Sequence, residues 1–431
     1  MMIPKRMNRR HFLQTVIASA TAPIIIPGNA LGLDGAIAPS NRITMGLIGV
    51  GARMGGVWGA FKNCKEIQGI AVCDVWEANR ENYRKSLNLQ PQDTTIDFRE
   101  LLARKDIDTV AIATPDHWHV PISIAAIKAG KDVYCEKPLC NTIQEGRTLV
   151  NTATQYGTVF QHGTQLHSMS GTRRACELVR NGRIGKIKEI RIGSPAGHAT
   201  GHHAEQPIPK GLNYDLWLGP APYRPFTHSR VFRDPKNNLP GWYFVSDYSK
   251  AGWIAGYAVH DLDIAQWAIG MDRSGPITIE GQGVYPREGL FDTVTTYKLV
   301  YEYANGVRIV VTNTDVNPHG VTFEGEKGTV FTRGEIDATP KSLLREVIGP
   351  NETHLYQTTN HAQNFVDCVR SRAETITPAE IAHRATSTAL LGGIACQLGR
   401  KLHWNPTTEQ FINDDTANGL LRCSMRAPWQ V

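Results

Sequence analysis

An alternation of element types constrains this chain more than any other feature. A β-rich run at Ile43–Ile48 leads into Gly49-Val50-Gly51-Ala52-Arg53-Met54-Gly55-Gly56 and an apolar helical stretch, and a second run, Ile67 to Cys73, ends at Asp74. A helix follows around Glu77 to Ser86, then an edge segment, a helix near Phe98 to Ala103 and a continuously apolar strand, Thr109 to Ala113. A helix at Val120 to Ala129 and a strand at Lys131 to Cys135 complete the series. Helices inserted between strands make the crossovers that parallel strands require, so the pattern predicts an α/β, doubly wound parallel sheet. Ligands of such sheets bind at the carboxyl ends of the strands. Polar clusters fall at those ends: Asp74, the run Thr114-Pro115-Asp116-His117-Trp118-His119, and Glu136-Lys137-Pro138.

The first strand-to-helix turn reads as a dinucleotide cradle. Glycines at Gly49 and Gly51 let the backbone approach a pyrophosphate, and the helix behind them offers free amides and the positive end of its dipole. Asp74 lies 23 residues after Gly51, close to the spacing at which an acid accepts from a ribose 2′-hydroxyl. Met54 stands where the third glycine of the usual pattern falls, with Gly55 one place later. A carboxylate at Asp74 with no Ser-Arg after it favours NAD over NADP, because it repels a 2′-phosphate.

After residue 163 the period changes. A helix, Gly171 to Asn181, leads into a strand, Ile187 to Ile192, and from Pro276 onward come β-rich runs at Pro276–Val284, Thr293–Tyr303, Val307–Asn313 and Val321–Thr332. Ala-Asn-Gly and Glu-Lys-Gly turns punctuate them, the mark of antiparallel hairpins. Between lies a long segment, Gly193 to Lys250, with little periodicity and many aromatics, among them Trp217, Tyr223, Phe226, Trp242, Tyr243 and Phe244. Aromatic faces suit the apolar face of a sugar ring, and they suit a packed core equally well. Helices near His361–Arg370 and Pro378–Leu398 read as coverage.

The N-terminus carries Lys5, Arg6, Arg9 and Arg10, an uncharged stretch from Phe12 to Ile26, and Gly28-Asn29-Ala30. This order reads as an export signal cleaved after Ala30, and Asn8-Arg9-Arg10-His11-Phe12-Leu13 is similar to the twin-arginine consensus. The apolar stretch is too short and too interrupted for a membrane-spanning helix, and no cysteine follows it to take a lipid anchor. The expected organisation is a signal over 1–30, a linker over 31–41, a dinucleotide-binding domain over 42–162 and an α+β substrate and oligomerisation domain over 163–431. The expected location is the periplasm or beyond, reached through the twin-arginine machinery. The formal charge of +6, from 46 basic and 40 acidic residues, shrinks to 42 against 40 without the leader, which excludes a nucleic-acid-binding surface of the usual kind. Eight cysteines include no Cys-x-x-Cys pair and mostly lie in apolar runs, so they read as buried thiols. His198, His202, His203 and Glu205 lie close in sequence, but no second cluster at ligand spacing accompanies them, and no metal is expected.

Gly49-Val50-Gly51, Thr114 to His119, Lys128-Ala129-Gly130-Lys131-Asp132-Val133-Tyr134-Cys135-Glu136-Lys137-Pro138 and His260-Asp261-Leu262-Asp263-Ile264-Ala265-Gln266-Trp267 together resemble the glucose-fructose oxidoreductase, inositol dehydrogenase and MocA (Gfo/Idh/MocA) family. The resemblance implies a Rossmann domain followed by an α+β domain with a largely antiparallel sheet, a homodimer or homotetramer, and hydride transfer between a nicotinamide cofactor and a sugar or polyol. It matches Lys137 to the family's active-site lysine and His260 to the histidine facing the reacting carbinol. The residue before a proline is restricted to extended conformations, so Lys137 is aimed rather than floppy. Gly49, Gly51, Arg53, Met54, Asp74, Thr114, Pro115, His119, Glu136 and Lys137 are the expected cofactor contacts. Lys137, Gln165, His167, Asp247, His260 and Asp263 are the expected substrate contacts. Many relatives carry an aspartate four residues before the histidine; here Gly256 stands there, leaving Asp247, Asp261 or Asp263 to substitute or not.

Three functions fit. A sugar or polyol oxidoreductase is the first, with NAD held without dissociating, because an exported enzyme has no assured nicotinamide supply. The second is an NAD-dependent glycoside hydrolase or epimerase working by transient oxidation; the resembling glycosidases lack Glu-Lys-Pro, which ranks this reading behind. The third is a non-catalytic sugar-binding protein on an enzyme fold.

Overall fold

The computed structural model describes residues 41–233 and 239–430; the expected export signal over 1–30 lies outside the described residues, as does nearly all of the linker. Strands β1 (Ile43–Ile48), β2 (Ile67–Cys73), β3 (Thr94–Thr95), β4 (Thr109–Ile112), β5 (Asp132–Cys135) and β6 (Phe160–His162) form one sheet in the order β3-β2-β1-β4-β5-β6. All five pairings are parallel. The crossovers run through helices α1 (Ala52–Phe61), α2 (Glu77–Ser86), α3 (Phe98–Leu102), α4 (His119–Lys128) and α5 (Ile143–Tyr156). Every residue of β4 and β5 is buried, as expected of central strands covered on both faces. Helix α5 begins in a capping box between Thr142 and Glu145 and stops at Gly157 in the left-handed conformation, so its ends are set locally.

Helix α6 (Ser170–Arg180) leads to a second sheet of nine strands: β7 (Ile187–Ser194), then, after helix α7 (Val259–Ile269), β8 (Thr278–Val284), β9 (Thr296–Glu302), β10 (Arg308–Asn313), β11 (Gly320–Gly325), β12 (Thr329–Arg333) and β13 (Glu335–Thr339), and, following helices α8 (His361–Ser371) and α9 (Ala379–Leu398), β14 (Leu402–Asn405) and β15 (Gln410–Phe411). Their order is β13-β12-β11-β7-β10-β9-β8-β14-β15, and only β7 and β10 pair in parallel. The expected doubly wound sheet plus largely antiparallel α+β unit is therefore the fold of the chain. Helix α9 crosses β8 at backbone contact: a Cβ on Gly281 would meet the Cys396 nitrogen at 2.6 Å.

Two parts of the chain depart from the simple succession. Helix α8 returns to the first sheet, setting Phe365 against Phe61 and Tyr134 with ring centroids 5.8 and 6.2 Å apart. The segment after β7 builds an aromatic core from Tyr214, Trp217, Phe226, Phe244 and Tyr248, joined by Phe291 from the β8–β9 connection. That core is fastened to the strand ends of the first sheet: Glu77 N donates to the Gly211 carbonyl (2.9 Å), Asn213 N to Val75 (3.0 Å) and Trp118 Nε1 to Leu216 (3.0 Å). Among the described residues no helix is long and apolar enough to cross a membrane. All eight cysteines are free, seven of them buried.

Candidate active site

The turn between β1 and α1 has the shape a pyrophosphate needs. Gly49 has φ +76°, and a Cβ there would lie 2.7 Å from the Thr114 nitrogen, so only glycine lets β1 and β4 end side by side. At Gly51, the N-cap of α1, an added Cβ would meet only Asn79 Nδ2 at 3.8 Å. No side chain caps α1 and no acid occupies its first turn, so its amides remain available to an anion. These residues line a cleft of about 420 Å³ with Arg53, Asp74, Thr114 and Pro115 on one side and Trp217, Phe232, Trp242 and Tyr243 on the other. The Asp74 carboxyl accepts from Trp76 N (2.8 Å) and Asn79 Nδ2 (3.1 Å); burial pushes it up to about 6 against those two bonds. Glycine cradle, open helix end and strand-end acid together fit NAD.

The side chains of two expected cofactor contacts turn away from the cleft. The Met54 side chain is fully buried beside Val57 and Phe61 in the core under the turn, because the third position of α1 points at the sheet. His119 is also enclosed, its ring set between the carbonyls of Pro138 (2.6 Å) and Thr114 (2.9 Å). It braces the ends of β4 and β5 against each other.

Glu136 links the two halves of the site. Its carboxylate accepts from Arg53 at 2.6 Å and from Gln165 Nε2 at 3.3 Å, tying the glycine turn to the end of β5. The next residue, Lys137, donates from Nζ to the Gly256 carbonyl at 2.6 Å, with the rings of Tyr243 and Tyr257 centred 5.5 and 5.7 Å away. Burial lowers the Lys137 pKa, opposed in part by Glu136 and Asp116. Asp116 was not singled out from the sequence, although it closes the β4 cluster. It is buried, accepts from Ser249 Oγ at 2.8 Å, and keeps Oδ1 without a partner. Burial pushes its pKa up to about 7, with Ser249 and Lys137 pulling the other way.

Gly256 belongs to a π-turn, Ile254–Ala258, that opens directly into α7 and carries His260 into the same neighbourhood. Such wide turns recur at functional sites. The space a side chain at Gly256 would use is taken by Trp253 and Tyr243, at 3.3 and 3.5 Å from an added Cβ. None of the three candidate acids replaces the absent aspartate. Asp247 pairs with Arg224 (2.8 Å), Asp261 with Arg333 (2.9 Å), and Asp263 approaches His167 to 3.0 Å. His167 and Asp263 are wholly enclosed, the imidazole lying over Trp267 at 4.3 Å, so this pair is packing rather than a substrate contact. Asp247 is taken up by its ion pair with Arg224. Gln165 reaches Glu136 and Tyr134 and so joins the site through them.

His260 Nδ1 is buried without a hydrogen-bond partner. Burial, then the charges of Lys137 and Arg333, hold its pKa well below the ordinary histidine value, so the imidazole is neutral. His162 is buried close by with both ring nitrogens unpartnered. Arg333, Tyr257 and His162 all escaped the sequence reading, since they arrive from separate elements with no shared motif, whereas Tyr243 was among the aromatics it noted. Among the described residues, no three His, Cys, Asp or Glu side chains gather as a metal site, and His198 packs between Phe244 and Trp253.

Comparison with known proteins agrees with this geometry. Residues 43–164 match the NAD-binding Rossmann fold of the GFO_IDH_MocA oxidoreductase family, and residues 178–431 match that family's C-terminal alpha/beta domain. A glycosyl hydrolase family 109 protein of Shewanella sp. (strain W3-18-1) is 32% identical over 168 residues, 34% of this chain and 37% of that protein. A 1,5-anhydro-D-fructose reductase of Ensifer adhaerens is 26% identical over 195 residues, 45% of this chain and 47% of that one. The aligned stretch thus spans less than half the length of either relative. Among solved structures, the WlbA dehydrogenase from Bordetella pertussis in complex with NADH and UDP-GlcNAcA shares the fold with a TM-score of 0.62 at 17% identity, over 84% of this chain and 99% of that one. With both of its domains matched, the chain belongs to the Gfo/Idh/MocA oxidoreductase family, with an N-terminal NAD-binding Rossmann domain.

Proposed function

We propose that the protein oxidises or reduces a CH–OH group of a sugar, polyol or sugar derivative with NAD as hydride carrier. One observation carries this reading: Glu136 holds Arg53 of the dinucleotide turn, and the adjacent Lys137 reaches across to the π-turn that delivers His260. When bound, the nicotinamide supplies the hydride acceptor or donor. Lys137, aimed by the Gly256 carbonyl and flanked by two tyrosine rings, hydrogen-bonds the substrate oxygen and stabilises negative charge on it as its proton leaves. Neutral His260 accepts that proton. Lys137→Ala, with bound NAD measured after denaturation, tests the assignment: turnover is lost while NAD is retained, and a variant that turns over like the parent refutes the role of Lys137.

We further infer that NAD remains bound through turnover. The aromatic segment fastened to Val75, Glu77 and Trp118 walls the cleft on the side opposite the glycine turn, which supports retention. Exhaustive dialysis leaves about one NAD per chain if retention is correct. The N-terminal residues support export by the twin-arginine pathway, tested by replacing Arg9 and Arg10 with lysine and following the protein into the periplasm. Assembly as a homodimer or homotetramer is expected from the family and is read by light scattering.

A second reading has its own support. The similarity to family 109 hydrolases over a third of the chain favours glycoside cleavage through transient oxidation. Aryl glycosides incubated in D2O without added NAD decide the matter. Cleavage with solvent deuterium in the sugar means hydrolysis, and stoichiometric reduction of bound NAD means a dehydrogenase.

A further inference from the structure

Resting on the oxidoreductase reading, an arc of side chains on the substrate side of Lys137 defines what that substrate carries. From Lys137 Nζ the ring of Tyr257 lies at 5.7 Å, and from Tyr257 the His319 ring lies at 6.0 Å. His319 precedes Gly320, where an added Cβ would sit 3.0 Å from the Arg333 Cβ across the β11–β12 pair. Arg333 Nη1 then donates to Asp261 Oδ1 at 2.9 Å, next in sequence to His260. The Arg333 charge also acts on His260, the proposed proton acceptor. Two features mark it as a receptor for negative charge. The guanidinium has five N–H donors, and among the described residues Asp261 is its only side-chain partner. His319 Nε2 is buried without a partner, and the bond to Asp261 uses only one of the donors on Arg333. Arg333 comes from the second sheet, so the cofactor's phosphates, held at the Gly49–Arg53 turn, do not account for it.

We propose that the substrate is an anionic sugar, whose carboxylate or phosphate is held by Arg333 with His319 while the reacting carbinol lies at Lys137 and His260. Planar, multi-donor guanidinium is the side chain best suited to such a group.

Single-turnover reduction of bound NAD tests this with matched sets: glucose, glucuronate and glucose 6-phosphate, and likewise glucitol against gluconate. The expected result is that one anionic member saturates at a concentration at least tenfold below its neutral counterpart. The carboxylate and phosphate arms identify which anion is read. In Arg333→Gln that preference falls about tenfold to a hundredfold, the range expected for one charge-assisted hydrogen bond, and Arg333→Lys restores part of it. Should the variants fail to fold, the parent protein still decides, since a preference set by an ion pair weakens as salt is raised. A parent that favours neutral sugars, or a preference that survives Arg333→Gln, overturns the proposal. Failure of every sugar, charged or not, to reduce the bound NAD overturns the oxidoreductase reading beneath it.

Discussion

The two sides of the candidate site are built in opposite ways. On the nucleotide side, Gly49, Gly51, Asp74 and Thr114 lie at consecutive strand ends of one sheet, and each has its place fixed by backbone geometry. On the substrate side, Lys137, Gly256, His260 and Arg333 come from the end of β5, a π-turn with the α7 it opens into, and β12, and side chains bring these separate elements together. A site written in backbone tolerates little substitution but survives drift around it. A site assembled from distant side chains can be re-specified one residue at a time.

The sharpest way to break this contrast is Lys137→Ala. It should reduce turnover by about 10²–10⁴-fold, the span of a lost proton-transfer or charge-stabilising group, and leave NAD content intact; parallel loss of NAD would show that the two sides are not separable. Next comes Gly49→Val on the nucleotide side. With φ +76° and a Cβ forced to 2.7 Å from the Thr114 nitrogen, the turn must open, and NAD recovered from the purified variant should fall well below one per chain. His260→Gln should cost about 10²-fold in kcat/KM. The parent should also hold its activity as pH falls through the ordinary histidine value, because depression of the His260 pKa keeps the ring neutral and able to accept a proton there. An acid limb centred at an unshifted histidine value would refute the buried neutral base. Asp116→Asn is subtler, since Asp116 acts through Lys137 as a positioning residue. Removing a negative charge beside an already depressed ammonium lowers its pKa further, so the alkaline limb of the kcat/KM profile should move to lower pH. Asp247→Asn should change turnover by less than about twofold, as its partner Arg224 forms a half-exposed ion pair worth about 1 kcal/mol or less.

What was legible in the sequence follows the same division. β1, β2 and α2 fall at the residues expected, because strand and helix periods and the glycine turn are local signals. Glu136 and Lys137 stand out by motif, and the bond from Arg53 to Glu136 joins that motif to the glycine turn in space. Met54 misled because a position defined by glycine spacing says nothing about which way a larger side chain turns. His167 and Asp263 turn toward each other, and a polar side chain reads the same in sequence whether it meets a ligand or another buried group. Arg333 was invisible because it enters by strand pairing across the second sheet, and no local pattern encodes that.

Helix α8 has a bearing on how the protein comes into being. The sheet that carries the dinucleotide turn is complete in sequence at His162, yet Phe61 and Tyr134 are capped by Phe365, some two hundred residues later. A ribosome must therefore deliver most of the chain before this patch of the nucleotide half can be covered. Until then the rings of Phe61 and Tyr134 lack that cover, and uncovered apolar surface of this kind is what invites self-association during synthesis. The core beneath the NAD cradle, early in translation, thus waits for one of the last helices to cover it.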